Sequence, residues 1–112
     1  AVTLDPDTAH PWLVLSEDLR SVSWQGVWQE LRDIPERFSY WCCVLGQEGF
    51  REGRHCWEVE VQGEVGRYSW WGVGVARDSV ARKGNIHLSP ERGVWALRHR
   101  TEKFESLTST RT

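Results

Sequence analysis

The sequence contains no methionine, a single asparagine and no long apolar run. A chain without methionine is expected to be an excised or processed piece of a longer protein. Asn85 is followed by Ile86 and His87, which excludes an acceptor sequence for N-linked glycosylation. No stretch approaches the roughly 20 apolar residues of a membrane helix, and no signal peptide is visible. These absences predict a cytoplasmic domain that makes no direct contact with a membrane.

Cysteine is also scarce, with three residues, of which Cys42 and Cys43 are adjacent. Adjacent cysteines rarely bond to each other because a disulfide needs separated α-carbons, so a reduced, cytosolic environment is the simplest interpretation. Zinc ligands typically stand about two to four residues apart, whereas His55 and Cys56 are neighbours, and neighbours in a strand point to opposite faces. We predict no disulfide, no metal and no cofactor, with Cys43 and Cys56 as small buried hydrophobic residues.

Signatures of catalysis are missing as well. Residues 72–74 (GVG) lack the third glycine of a dinucleotide-binding loop because Arg77 stands in its place, so two glycines packing within a strand is the favoured interpretation. No Gly-x-Ser-x-Gly turn is present. Glu58 and Glu60 would lie roughly 7 Å apart on one strand face, which suits paired carboxylates, but a solvated outer face is favoured. We predict that the domain is not an enzyme.

The chain is rich in tryptophan, with eight in 112 residues. So many large rings need a core or a binding surface, which argues against disorder. The net charge of −2 argues against general affinity for nucleic acid. The charge is uneven, since residues 1–36 hold seven acidic side chains against two arginines, and residues 77–103 hold seven basic ones against three acidic. Solvated faces explain such runs more often than a basic ligand surface does.

Two apolar runs alternate with a period of two and predict the central strands. In each run three apolar side chains share one face: Trp57, Val59 and Val61 within residues 54–61, and Trp71, Val73 and Val75 within residues 70–75. Trp70 points the other way, together with the two glycines of its run. We interpret the runs as neighbouring strands of one sheet. The predicted buried rings are Trp57, Trp71 and Trp95, with Val59, Val61, Val73, Val75 and Leu97 around them.

The remaining segments predict short strands and turns. Residues 4–11 are rich in turn formers and predict an ordered irregular arm, and residues 25–37 predict a long loop with at most one helical turn because Pro35 interrupts it. The other predicted strands cover residues 13–15, 22–24, 38–45, 86–88, 94–98 and 104–107, with a turn at 89–93. Strands and turn signals that recur about every 8–12 residues are typical of an all-β sandwich or barrel.

Several of these segments resemble the PRY-SPRY domains of tripartite-motif proteins and butyrophilins. The PRY-like segments are residues 4–6 (LDP), 10–11 (HP), 13–18 (LVLSED), 35–38 (PERF) and 44–46 (VLG). Residues 53–61 (GRHCWEVEV) resemble the opening SPRY motif, with Cys56 where tyrosine is common. Further motifs follow in family order and spacing, namely residues 72–75 (GVGV), 82–84 (RKG), 88–91 (LSPE) and 94–95 (VW). The resemblance covers the whole chain.

The resemblance implies a bent sandwich of two antiparallel sheets, with concanavalin-like jelly-roll topology, that binds proteins through loops at one end. It divides the chain into a PRY segment, residues 1–50, and the N-terminal part of SPRY, residues 51–112, which together form one partial domain. The family normally continues through a Leu-Asp-Tyr-Glu strand and a final apolar strand, so the fold is expected to be incomplete at the C-terminus. A half sandwich would leave Trp57 and Trp71 poorly covered. Either the chain is a fragment, or the missing half arrives as a second chain or a swapped copy.

The expected binding site combines the strand pattern with the resemblance. Alternation directs Trp70, Arg98 and Arg100 away from the predicted core, and tryptophan and arginine are enriched at interface hot spots. In the resembling domains, the positions of Gly72, Arg98 and Arg100 fall on the protein-binding surface. Trp12, Trp24 and Trp28 would add an aromatic rim, although packing under a loop is an equal alternative for Trp24 and Trp28. The predicted partner-binding residues are Trp70, Gly72, Arg98, Arg100, Trp28 and His87.

Two functions of different classes remain open. The first is a non-catalytic protein-interaction module, the substrate- or partner-recognition domain of a tripartite-motif ubiquitin ligase or a related protein of innate immunity. The second is a butyrophilin-like intracellular domain that senses a small phosphorylated ligand, because the positions of His55, His87 and Arg111 match basic positions of such domains. Glu105 and Gly72 replace a base and a histidine expected there. A desolvated carboxylate repels a phosphate, so the first function is preferred.

Overall fold

The structure is a computed structural model that describes residues 2–51, 53–61, 70–100 and 103–106. The strands are β1 (Leu13–Leu15), β2 (Val22–Trp24), β3 (Trp70–Ala76), β4 (Val94–Arg100) and β5 (Lys103–Ser106), with one 3-10 helix at Pro90–Arg92. All strand pairs are antiparallel. The predicted all-β fold is confirmed. No helix among the described residues is long and apolar enough to cross a bilayer.

The chain divides into two compact units, which are described one at a time. The first, the arm unit, holds the described residues within Ala1–Trp57 and Ala81–Ile86. The second, the sheet unit, holds those within Glu58–Val80 and His87–Thr112. The boundary therefore runs through the predicted strand at residues 54–61.

The arm unit is built on a buried N-terminal segment, residues 8–11. The carbonyl oxygen of Thr8 accepts a hydrogen bond from the backbone N–H of Phe38 at 3.1 Å. The hydroxyl oxygen of Thr8 accepts one from the backbone N–H of Leu45 at 2.9 Å. The N–H of His10 donates to the carbonyl of Cys43 at 3.1 Å. Pro6 and Pro11 disfavour helix in the residues before them, so the segment stays extended enough to offer its backbone groups to distant partners. This is the predicted irregular arm.

A buried arginine fixes the arm to the loop that follows β2. The guanidinium of Arg37 donates to the carbonyls of Arg32 (2.8 Å), Pro6 (3.0 Å) and Ala9 (2.8 Å). Phe38, the next residue, is almost fully buried, and the guanidinium of Arg82 lies over its ring at 5.5 Å. No α-helix forms in residues 25–37, as predicted for a segment that Pro35 interrupts.

In the hairpin of β1 and β2, Leu13 pairs with Trp24 and Leu15 with Val22. The connecting turn is closed by Ser16, whose hydroxyl oxygen accepts the backbone N–H groups of Arg20 and Ser21. Both strands match their predicted bounds, because short β-branched and aromatic runs between turn signals favour a hairpin.

The sheet unit is a meander in which β4 lies between β3 and β5. Val73 pairs with Leu97, and Val75 with Trp95, so the apolar residues of both strands share one face as the alternation predicts. Gly74 permits the close approach of the strands, because a Cβ there would overlap the carbonyl oxygen of Trp95. The favoured interpretation of the two glycines as strand-packing residues is therefore confirmed.

A tight turn leads into β4. Pro90 occupies the start of the 3-10 helix, and Gly93 ends it with a φ of 86°, a left-handed conformation that glycine adopts without a Cβ clash. Ser89 is almost fully buried, and its carbonyl accepts the N–H of Val94 at 3.0 Å. The turn predicted at residues 89–93 is thus present and sets the start of β4.

Three predicted strands do not form: residues 38–45, 54–61 and 86–88 contain no strand. The neighbour of β3 is β4 rather than residues 54–61. The physical reason is that an apolar or alternating run becomes a strand only when another strand takes up its backbone groups. In residues 38–45, those groups bond instead to the arm, as the contacts of Phe38 and Cys43 show.

The predicted core is also wrong in part. Trp57, Val59 and Val61 are exposed, and Val75, Trp95 and Leu97 keep 43%, 44% and 50% of their surface exposed. Trp71 and Val73 are half-buried. Alternation decides which side chains share a face, but it does not decide whether a second layer covers that face. Among the described residues, the buried side chains include the apolar Ala9, Phe38 and Val80 and the polar Thr8, His10, Arg37 and Ser89.

Candidate functional site

The pairing of β3 with β4 brings together four of the six predicted partner-binding residues. Trp70 pairs with Arg100, and Gly72 pairs with Arg98. Directly opposed residues of an antiparallel pair belong to the same face of the sheet. We call these four positions the strand patch. They fall on the face opposite to the one that carries Val75 and Trp95, because the two sets alternate along each strand.

Within the strand patch, Gly72 has no side chain and leaves a hollow, and its partner Arg98 carries a positive charge. Gly72 is exposed, and a Cβ added to it would lie 3.1 Å from the carbonyl oxygen of Leu97, so this position has little room for a side chain. Arg98 is half-buried. On its other side the register places Glu105 of β5 opposite Arg98, and Lys103 opposite Arg100. The patch is therefore basic with one neighbouring acid.

The other two predicted residues do not belong to these strands. His87 lies outside the strands of the sheet unit and is exposed. Trp28 belongs to the arm unit, where it is half of a right-angled ring contact. His87 and Trp28 are therefore not among the strand positions that make up the strand patch.

Trp28 instead lies in a tryptophan cluster formed by Trp12, Trp24 and Trp28. The rings of Trp12 and Trp24 stack with centroids 5.7 Å apart and an interplanar angle of 26°. Trp28 meets Trp12 at 84° and 5.7 Å, and meets His10 at 88° and 5.8 Å. Trp24 is 63% exposed and Trp28 52% exposed. Both residues thus keep more than half of their surface exposed, which does not support the alternative that they pack under a loop.

Backbone contacts of the arm hold the cluster in place. The Nδ1 atom of His10 accepts the backbone N–H of Trp12 at 3.1 Å. The N–H of Gln29 donates to the carbonyl of Pro11 at 3.1 Å, and its side-chain amide donates to the carbonyl of Leu13. Burial lowers the pKa of His10 below its ordinary value of 6.5, although a backbone hydrogen bond at Ser39 opposes this. The imidazole is therefore neutral and keeps Nδ1 as an acceptor.

Comparison with known protein families assigns the chain to a family. The family profile of PRY, described as the SPRY-associated domain, matches residues 2–50, and that of the SPRY domain matches residues 54–112. The chain belongs to the PRY-SPRY family. SPRY is a non-catalytic protein-interaction domain, so the chain is an interaction domain and not itself an enzyme.

The relatives of this PRY-SPRY chain include both tripartite-motif proteins and butyrophilins. E3 ubiquitin-protein ligase TRIM58 of Mus musculus is 55% identical over 86% of this chain and 19% of its own length. Butyrophilin subfamily 1 member A1 of Bos taurus is 48% identical over 99% of this chain and 20% of its own length. Zinc finger protein RFP of Homo sapiens is 51% identical over 86% of this chain and 18% of its own length. The chain spans about a fifth of the length of these relatives.

The fold has a counterpart among solved structures. The stonustoxin structure superposes with a TM-score of 0.70 and 23% identity, over 99% of this chain and 18% of that one. At this identity the likeness shows the fold alone. It supports the SPRY-like fold class predicted from the sequence.

The thiols of the PRY-SPRY chain are free; Cys56 is exposed and Cys43 is half-buried, whereas both were predicted to be buried. The Sγ atom of Cys42 lies 3.7 Å from Nδ1 of His10. Burial raises the pKa of the Cys42 thiol, so this contact joins a neutral thiol to a neutral imidazole and does not prepare a thiolate nucleophile. Among the described residues, no three His, Cys, Asp or Glu side chains are arranged to hold a metal ion.

Basic residues matched to a phosphate pocket are not gathered within either unit of the described structure. In the arm unit, the ring of His55 stacks on Phe50 with centroids 4.3 Å apart, and Phe50 stacks in turn on Trp57. His87 belongs to the sheet unit, and Arg111 lies outside the described residues. No sequence pattern pointed to the role of His10, because nothing in a turn-rich arm marks a histidine as the support of a ring cluster.

Proposed function

We propose that this PRY-SPRY chain is the partner-recognition part of a cytoplasmic tripartite-motif ubiquitin ligase or a related protein of innate immunity. The proposal is supported by the similarity to TRIM58 and RFP and by the interaction role of SPRY domains. Residues 1–50 and residues 51–112 act together in it as the PRY and SPRY portions of one partial domain. Ubiquitin transfer would belong to other parts of the parent protein.

The strand patch is the proposed contact surface. The observation that carries it is the register that sets Trp70 against Arg100 and Gly72 against Arg98. Tryptophan and arginine supply most binding energy at interfaces, and arginine recognises carboxylates in a bidentate way. A partner that fits this patch is therefore acidic or mixed in charge. His87 is exposed in the same unit and is retained as a contact at the margin of the site.

The apolar face of the sheet unit supports a second element of the proposal. Val75, Trp95 and Leu97 together leave a large apolar area in water, and exposed patches of this kind mark interaction sites. The remaining half of a SPRY sandwich, supplied as a second chain or a swapped copy, would cover this face. A second half bound in this way would complete the sandwich and would not occupy the strand patch.

The sensing of a small phosphorylated ligand is the second candidate. The positions of His55 and His87 support it by resemblance. Glu105 stands opposite Arg98 in the register, so the basic position nearest the hollow at Gly72 already has an acidic neighbour. A nearby carboxylate weakens the attraction of a phosphate, and this candidate therefore ranks behind protein recognition.

The test is the affinity of the intact domain for a partner isolated by pull-down and then purified. Arg98→Glu is expected to slow association and reduce its salt dependence, and Trp70→Ala to speed dissociation. Arg92→Glu is the matched control, since Arg92 is an exposed arginine of the same unit outside the patch. Thermal unfolding is followed in parallel. Unchanged affinity of the Trp70→Ala, Arg98→Glu double variant would remove the strand patch from the proposal.

A further inference from the structure

We propose that the tryptophan cluster is a second docking site, and that it takes an extended peptide segment carrying lysine or arginine beside apolar side chains. The cluster shares no residue with the strand patch, because it lies in the arm unit and uses no residue of β3 or β4. The charge of the expected partner is also opposite, since the strand patch is basic and favours an acidic partner.

The first support is the concentration of exposed apolar surface around the cluster. Val27 is 61% exposed, which is close to the exposure of Trp24, and Leu31 is also exposed. These residues and Trp28 all lie within one short segment, residues 22–31. Isolated exposed apolar residues are normal on a protein surface, but several within one ten-residue segment, two of them tryptophans, have the composition of an interface hot spot.

The second support is the charge around these rings. Residues 21–31 contain one charged residue, Glu30, which is exposed. Residues 1–36 as a whole hold seven acidic side chains against two arginines. One of those acids, Asp33, is engaged by Lys83 at 2.7 Å. The part of the sequence that carries the rings therefore has an excess of acidic residues, and a basic segment is the complementary partner.

Indole faces and carboxylates favour the same kind of side chain. A guanidinium or ammonium group over an indole face gains a cation–π attraction, which an acidic or neutral side chain does not. Trp28 and Trp12 stand almost at right angles, so the cluster presents ring surfaces in two directions rather than one flat wall. A basic residue flanked by apolar residues uses both properties: its charge meets the rings and Glu30, and its neighbours cover Val27 and Leu31.

The third support is that the rings are already held before any ligand arrives. The bond from the backbone N–H of Trp12 to His10 and the two bonds made by Gln29 fix the chain on both sides of the cluster. His10 itself is buried. Binding to a preformed surface loses less conformational entropy than binding to a mobile loop, which favours recognition of a short segment.

The experiment is a selection of random displayed peptides on the immobilised protein, followed by affinity measurements with the selected peptides. We expect enrichment of sequences that combine lysine or arginine with apolar residues. The Trp24→Ala, Trp28→Ala double variant should lose at least about tenfold in affinity for them. Tyr40→Ala is the matched control, because Tyr40 is an exposed aromatic residue of the same unit with the same 52% exposure as Trp28.

Charge reversal separates the cationic preference from simple apolar adhesion. Glu30→Lys should lower the affinity for the basic peptides several-fold and reduce the salt dependence of binding. Glu17→Lys, in the turn between β1 and β2, is the control and should change neither. Arg98→Glu should leave these affinities unchanged, so failure of this site and failure of the strand patch are distinguishable. Enrichment of acidic or purely apolar peptides, no enrichment, or selected peptides that bind the double variant equally well would each overturn the proposal.

Discussion

The arm unit and the sheet unit differ in what their backbone groups bond to. In the sheet unit, β4 pairs with β3 over its whole length and with β5 over residues 97–100, in regular antiparallel ladders. In the arm unit, residues 8–11 bond to segments about thirty residues further along the chain, such as Phe38 and Cys43. The comparison teaches that an irregular segment can organise a unit when it supplies bonding groups to several distant parts of the chain.

The buried residues follow the same division. The arm unit buries Thr8, His10 and Arg37, three polar side chains that each make hydrogen bonds, beside the apolar Ala9 and Phe38. The sheet unit leaves its largest apolar face exposed. Stability should therefore depend on a few specific polar contacts in one unit and on strand packing in the other, and substitutions can separate the two.

The largest effect is expected where two strands meet most closely. Gly74→Val should lower the free energy of unfolding of the sheet unit by about 3 kcal/mol, because the new side chain would overlap backbone atoms of Trp95 and Ala96. Thermal unfolding monitored by circular dichroism measures the change. Gly49→Ala is the control, since nothing lies within 4 Å of the Cβ it would add. If both variants melt alike, β3 and β4 do not approach as closely as described.

The next effect tests the arm unit. Arg37→Met should cost roughly 2–3 kcal/mol, because the carbonyls of Pro6, Ala9 and Arg32 lose a charged donor in a buried setting. Urea unfolding measures it. Arg37→Lys keeps the charge but offers a single ammonium in place of a planar fork, and should recover only part of the loss. Full recovery by lysine would mean that charge alone, and not the three-carbonyl geometry, holds the arm.

A smaller, pH-dependent effect is expected at His10. Because burial holds the pKa of folded His10 below the 6.5 of the unfolded chain, the unfolded state binds more protons in the interval between the two values. Stability should therefore be unaffected above that interval and should fall as the pH is lowered from 6.5 to the folded pKa. Melting temperatures between about pH 7.5 and about pH 5.5 measure the slope. His10→Asn keeps an acceptor for the Trp12 N–H without titrating, and an equally steep slope in that variant would assign the effect elsewhere.

The smallest effect concerns thiol reactivity. Burial, assisted by the neighbouring Cys42, raises the pKa of Cys43 to about 11. At about pH 8, only roughly a thousandth of Cys43 is then thiolate, so alkylation by iodoacetamide should be slow there and faster at the exposed Cys56. Mass spectrometry of alkylated peptides over time distinguishes the sites. Cys43 reacting first would show that the arm unit opens readily.

The sequence predicted the sheet unit better than the arm unit for a physical reason. The alternation of Trp71, Val73 and Val75 and of Trp95 and Leu97 fixes strand phase locally, and the turn at Ser89 and Gly93 fixes where β4 begins. The arm's bonds form no regular ladder, and no periodicity in the sequence encodes them. Residues 38–45 therefore carried an apolar strand pattern that the arm overrides.

The candidate site shows the same limit. Register follows from alternation, so the juxtaposition of Gly72 and Arg98 was predictable. The meeting of Trp12, Trp24 and Trp28 was not, because it depends on a hairpin register and on a buried histidine contact. Exposure was the least predictable property, since it depends on what lies above a face and not on the order of residues within it.

Within the described part of the chain, β3 lies at the edge of its sheet, and this has a consequence for handling the protein in solution. Natural edge strands usually carry a charge, a proline or a bulge that discourages a further strand from adding to them. The strand WWGVGVA has no charged residue and no proline. It is therefore suited to accept an extended strand from another molecule, and also to polymerise at high concentration. Placing a lysine near this edge would be the direct way to keep preparations monodisperse.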